Sequence, residues 1–337
     1  MRPSDIRRAP ATRGPSATRN SGIDLLRVLG ICAVVYGHVV TTETTAQWIY
    51  PWHGPLFFFL SGYFWKRGRS ATSELRIRAR SLLVPYAFWL AAGLVLLGIA
   101  GLLTVEGVFA IARGGVSAKG IFAAFWFVTA LFWATMLARL LEPLPGWVAW
   151  AVAVAGVAAS YSLPMGALPL ALGHAFPGLL FLLFGALAAR VRLPWWAGLA
   201  LLAACAAVIA ALPIAYFNLK SLNLGTPVVG VLLAVALSWG LTVSFGHVSA
   251  AWATLPATAG IAVVLLHTFV LFFVAPWGLP VPITLAIVLS ATWAIAVVLR
   301  WTPLSPAACG VPRLRVSAGP RGSAAASRVR RRVLDRS

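Results

Sequence analysis

One feature limits this chain more than any other: apolar stretches of roughly 20 residues, parted by short polar breaks, follow one another along nearly all of its 337 residues. Roughly 20 residues is what a helix needs to cross a hydrocarbon core of about 30 Å. In hydrocarbon every backbone N–H and C=O must be satisfied internally, and a helix does this segment by segment. Hydrophobic residues make up 61% of the chain and charged residues only 10%, too little polar surface to coat a water-soluble globule. The sequence therefore reads as all-α, a single polytopic transmembrane bundle without a separate soluble domain. The apolar runs predict about ten helices, at about 22–42, 50–65, 81–103, 120–140, 147–162, 174–189, 194–213, 225–244, 255–275 and 282–300. Pro164, Pro169 and Pro177 interrupt the fifth and sixth runs, and one of these could be re-entrant.

Lys and Arg outnumber Asp and Glu by 27 to 7, a formal charge of +20. Position argues against nucleic acid as the reason. Lys66, Arg67, Arg69, Arg76, Arg78 and Arg80 share one predicted loop, and Arg139, Arg190, Arg192 and Arg300 fall on the same side of the membrane. Only Arg113, Lys119 and Lys220 fall opposite. By the positive-inside rule the basic side, with both termini, is cytoplasmic, which places the chain in the cell (inner) membrane with an even helix count. Residues 1–20 are expected to be a disordered basic leader, 21–301 the membrane domain and 302–337 a disordered basic tail. Arg328, Arg330, Arg331 and Arg332 in that tail would rest on anionic lipid or be solvated. The three cysteines, Cys32, Cys205 and Cys309, fit neither a metal spacing nor a disulfide framework, and no metal is expected.

Ionisable side chains inside a span cost roughly 2.5–3.5 kcal/mol each on insertion scales, yet the first helix carries Asp24, Arg27 and His38. At about 100° per residue, Arg27 and His38 project from one face, about 16 Å apart along the axis. Asp24 falls near the same stripe. The plain reading is that Asp24 and Arg27 neutralise each other while His38 reaches outward. Other histidines add weight to a functional one: His53, His174 and His267 approach the same outer leaflet, with His247 the exception. A histidine suits removal of a proton from an attacking hydroxyl, and a fixed cation suits a phosphate-bearing donor.

In its motifs the chain resembles the acyltransferase-3 family of integral-membrane O-acyltransferases. Asp24-x-x-Arg27 and Arg27-x10-His38 are similar to the family's opening. The run His53-Gly54-Pro55-Leu56-Phe57-Phe58-Phe59-Leu60-Ser61-Gly62-Tyr63 resembles its second-helix signature, particularly in the branch similar to fucose 4-O-acetylases. Arg76-x3-Arg80 through Pro85-Tyr86, Trp126-Phe127-Val128 and Leu265-Leu266-His267 look like later family elements, in order, over about residues 20 to 300. Gly54 stands where many relatives have Met, and Val264 where Tyr commonly precedes the Leu-Leu-His.

The resemblance implies transfer of an acyl group, acetyl above all, from cytoplasmic acyl-CoA to a hydroxyl of a cell-envelope glycan, lipid-linked or not, or of another sugar-containing acceptor, with no permanently bound cofactor. It implies His38 as general base, or as a nucleophile carrying an acyl-histidine. Arg27, Arg76 and Arg80 would hold the CoA phosphates, and His53 and His267 would orient the acceptor or stabilise the oxyanion. Asp24 and Glu43 would support, although Glu43 reads more simply as an ordinary loop carboxylate. The competing class is a transporter or flippase for a glycan or lipid-linked substrate, which would use the same intramembrane charges.

Overall fold

The computed structural model describes residues 19–315. Most of the expected leader and the Arg328–Arg332 cluster lie outside the described residues. The helices in chain order are α1 (Ser21–Val39), α2 (Glu43–Trp48), α3 (Tyr50–His53), α4 (Pro55–Tyr63), α5 (Ala71–Arg78), α6 (Val84–Ile99), α7 (Val105–Arg113), α8 (Phe125–Leu141), α9 (Gly146–Ser162), α10 (Ala175–Ala188), α11 (Trp195–Ala211), α12 (Val229–Gly246), α13 (Thr254–Val274), α14 (Val281–Leu299) and α15 (Ser305–Cys309). A two-stranded hairpin, β1 (Phe217–Asn218) and β2 (Asn223–Leu224), joins α11 to α12.

Seven helical stretches among the described residues are long and apolar enough to cross a membrane, and α9 and α11 are shorter apolar helices. The second predicted run differs in kind, being split into α3 and α4. Gly54 between them keeps right-handed helical dihedrals, but Pro55 has no N–H to give, so the helical path continues while its hydrogen-bond ladder is broken. The third run also departs from expectation. Its helix starts ten residues early, and α5, a widened π turn at Ala79–Leu83 and α6 form one stretch from Ala71 to Ile99. Arg76, Arg78 and Arg80 are therefore on a helix, not in a loop; Ser70 starts it by capping, its hydroxyl accepting from the Ser73 N–H.

α1 is the axial element. Its start is fixed by Asn20, whose side-chain oxygen accepts from the N–H groups of Gly22 and Ile23 at 3.0 and 3.1 Å, with Asp24 favourably placed in the first turn. It packs against α12, α13 and α14. Beside it α4 lies along α10 at very short range, because Gly62 faces the Leu182 backbone and Gly185 faces the Phe59 backbone, where a Cβ would collide.

Residues 302–315 pack back on the bundle, because polar groups there and on the membrane helices are one another's partners. Buried Arg300 donates to Thr258 Oγ1 at 2.9 Å, to the Pro312 carbonyl at 2.6 Å and to Ser305 Oγ. The Trp89 indole donates to the Ala308 carbonyl at 3.1 Å, and Gly310, at positive φ, closes against the Ser81 backbone in the π turn. Residues 302–315 thus form a hook around α15. Burial raises the thiol pKa of Cys309 to about 11, so it stays protonated and inert at neutral pH.

Overpacking a close helix contact costs about 1–3 kcal/mol. Gly185→Leu is therefore expected to lower the thermal unfolding midpoint of the detergent-solubilised protein, whereas Gly98→Leu, which faces open space, leaves it unchanged. Equal melting of the two variants would contradict the close α4–α10 approach.

Candidate active site

Toward the start of α1, a cavity of about 370 Å³ holds Arg27, Arg69 and Arg78 beside Phe64, with Ala257 and Gly260 of α13 opposite. Two carboxylates with no appreciable exposure organise it. Asp24 accepts from Arg27 at 2.9 Å and also from Arg19. Glu74 accepts from Arg78 at 2.7 Å, Arg139 at 3.2 Å and Arg69 at 3.3 Å. Arg139 reaches further, to Glu142 and to the Lys66 carbonyl, and stacks over Trp65 at 4.2 Å. A buried carboxylate surrounded by several guanidiniums leaves a cationic excess at the cavity, with planar donors shaped to grip phosphate.

Arg76 and Arg80, named from sequence as donor ligands, do not line this cavity; both are exposed. Glu74 and Arg78, four apart, share the inward face of α5, and Arg76 lies about 200° round the helix from Arg78. The i, i+4 spacing of Glu74 and Arg78 was the legible signal for the missed residue; nothing local to Arg69 or Arg139 would have shown that they converge on the same carboxylate.

Toward the other end of α1, a cavity of about 180 Å³ is lined by His38, His53, Lys220, Tyr50, Trp126 and Asn218. Gly37 lets the Tyr50 ring pack where a Cβ would meet it at 2.9 Å, and the Tyr50 hydroxyl donates to the Gly37 carbonyl at 3.0 Å. His53 Nδ1 lies 2.9 Å from the Ile49 carbonyl. A carbonyl only accepts, so Nδ1 carries the proton and Nε2 presents a lone pair. The same logic fixes His267, whose Nδ1–H donates to the Val263 carbonyl at 3.1 Å. Its Nε2 is buried with no partner among the described residues. His267 is not on the cavity wall; it stands behind His38, ring edge to ring face at 4.9 Å.

Lys220 had been read only as a loop charge. The Asn218 side chain holds its turn by accepting from the Lys220 N–H at 3.0 Å, and His174, leaning on Trp126, donates through Nε2 to the Lys220 carbonyl at 2.8 Å. His174 is thus a positioning residue. Burial, with help from Lys119, holds the Lys220 pKa below the usual lysine value. Glu43 opens α2 and lines an adjoining cleft of about 620 Å³ with Gln47, Tyr216 and Ile209. It makes no hydrogen bond to His38 among the described residues. Thr41 and Tyr50 line both the cleft and the histidine cavity.

The basic and histidine cavities have three lining residues in common, Phe57, Phe127 and Val264. Along α1, Arg27 and Ile31 face one cavity and Val34, His38 and the following Thr41 face the other, a spacing of three and four residues that keeps them on one helical stripe.

A family model described as an acyltransferase domain, acyltransferase-3, matches residues 20–301. The chain belongs to this family and is a multi-pass membrane acyltransferase that transfers groups other than aminoacyl groups. Comparison with curated proteins and with solved structures gives no match.

Removing one partner from a buried ion-pair cluster costs about 3–5 kcal/mol, because the remaining charges are left uncompensated. Glu74→Gln should therefore reduce the amount of folded protein in the membrane, measured by detergent extraction and size-exclusion profile, far more than Glu43→Gln. Matching profiles would show that Glu74 does not organise the arginines.

Proposed function

We propose that this acyltransferase carries an acetyl group from acyl-CoA, bound at the arginine cavity, to a sugar hydroxyl presented at the histidine cavity. The observation that carries this reading is the pair of cavities set end to end along one stripe of α1, one cationic and one lined by imidazoles. The phosphates of CoA would be gripped by Arg27, Arg69 and Arg78, with the pantetheine arm running along α1 toward His38. By the charge asymmetry of the loops, the arginine end is cytoplasmic, where acyl-CoA is made, and the membrane is the cell membrane.

His38 takes the proton of the acceptor hydroxyl as its oxygen attacks the thioester carbonyl carbon. The tetrahedral oxyanion then collapses, the C–S bond breaks, and the imidazolium returns its proton to the departing thiolate, giving free CoA and an ester. His267, packed edge to face on His38 at 4.9 Å, holds the base in place from behind. The tautomers bear on the oxyanion. Neutral His53 and His267 present lone pairs at Nε2, so a cationic donor is needed, and Lys220 supplies it. His53 instead accepts from a hydroxyl of the acceptor. The adjoining cleft, with Tyr216, Gln47 and Glu43 on one side and Ile209, Ile214 and Leu233 on the other, suits an acceptor with a polar sugar and an apolar tail, as in a lipid-linked envelope glycan.

Membranes containing the protein and labelled acetyl-CoA should release free CoA and label an envelope glycan in an acceptor-dependent manner. His38→Ala is expected to lower transfer by about 10²–10⁴-fold at unchanged abundance; near-normal transfer by a folded variant would remove His38 from the mechanism. Arg27→Ala should act on donor affinity, raising the KM for acetyl-CoA more than it lowers kcat.

A lysine whose pKa is lowered loses its charge earlier as pH rises, so transfer should decline at a lower alkaline pH than an ordinary lysine would set. Lys220→Arg, if it retains activity, should move that alkaline limb upward. An unmoved limb would exclude Lys220 as the titrating group.

A further inference from the structure

The wall between the two cavities is one side chain thick. Phe57 of α4 and Phe127 of α8 meet edge to face at 5.5 Å, with Val264 of α13 completing the layer. Both rings are half-buried in otherwise buried stretches: Phe58, Phe59 and Val128 have no exposure, while Phe57 and Phe127 have open space on either side. Phe57 also sits in the first turn after the break at Pro55. Its N–H reaches the Gly54 carbonyl at 3.3 Å in a short i to i−3 bond, and Gly54 itself lines the histidine cavity. On its other side Phe57 rests on Gly30 of α1, where a Cβ would meet the ring at 3.0 Å. The partition is therefore hung on a turn with few backbone hydrogen bonds and leans on a residue without a side chain.

We infer that Phe57 and Phe127 form a movable aromatic partition, which the acyl-bearing arm of the donor must displace to reach His38 and which restricts the transferred group to short acyl chains. The inference rests on the reading of the arginine cavity as the donor site. A permanently open channel would join the two faces of the membrane to water and ions; two rings in contact close it when no donor is threaded. In the threaded state the rings would lie against the arm, and the thioester and its acyl chain would pass between them. The acyl carbon is the widest branch point of that passage, and each added methylene must find room among Phe57, Phe127 and Val264. A pocket discriminates one methylene by roughly 10–200-fold, so this layer can select chain length without touching the reacting atoms.

The test uses the full-length protein in sealed vesicles with the arginine end facing the bath. Val34→Cys, in a Cys32→Ala background, places a thiol in the histidine cavity only. A charged, membrane-impermeant maleimide added to the bath should label it slowly when Phe57 and Phe127 are present, and several-fold faster with Phe127→Ala or, as a milder variant that keeps the core filled, Phe127→Leu. Labelling is read by peptide mass spectrometry, and vesicles of opposite orientation should label equally in all variants. Rates that do not respond to either substitution would overturn the partition.

Release of CoA from acetyl-, butyryl- and octanoyl-CoA is then compared in the same membranes. The Phe127 variants are expected to shift the butyryl-to-acetyl ratio upward by roughly tenfold; an unchanged ratio would overturn the role in chain length. Wild-type membranes that release CoA from none of the three would overturn the donor reading instead, and with it the passage of the arm, while the labelling result would still decide whether the rings separate the two cavities.

Discussion

Everything at the arginine end depends on two carboxylates placed where water does not reach them. Asp24 and Glu74 have essentially no exposed surface; Asp24 accepts from two guanidiniums and Glu74 from three. A lone arginine in that environment would cost several kcal/mol of solvation. A cluster in which every oxygen of these two carboxylates finds a guanidinium partner removes part of that cost and still leaves positive charge and free donors over. The chain therefore uses its scarce acidic residues to fix the position of its cations. Only 7 acidic residues occur in the whole sequence, and two of them define this cavity.

The bundle was legible in the sequence because its cause is one-dimensional. Apolar length and the absence of charge decide where a helix lies in a membrane, and the ten predicted runs each fall on helical stretches. The errors arise where hydrogen bonding rather than hydropathy decides. Pro55 breaks a ladder inside an unbroken apolar run, and Ser70 caps a helix that begins among charged residues, before any hydropathy signal. Residues 302–315 look like a polar tail, yet Arg300 needs the Pro312 carbonyl and Ser305, and Trp89 needs the Ala308 carbonyl. The last of these joins residues 219 positions apart, beyond what a local window can see.

The site divides in the same way. Arg27 and His38 lie eleven residues apart on one helix, so their shared face followed from helical geometry alone. Arg69, Arg78 and Lys220 come together with them only through tertiary packing. Sequence also could not assign the ring nitrogens. The Ile49 and Val263 carbonyls fix the protons of His53 and His267 on Nδ1, so the two imidazoles present lone pairs at Nε2, which bears on the choice between orienting an acceptor and stabilising an oxyanion. The lysine whose backbone is held by His174 and Asn218 is a cation on the same cavity wall.

The hook that follows α14 ties residues 302–315 to the first third of the fold. Gly310 sits on Ser81, in the π turn that follows directly on α5, and α5 carries Glu74 and Arg78. The arginine cavity is thus braced by a stretch of chain that lies outside every apolar run, and hydropathy alone gives no hint of that brace.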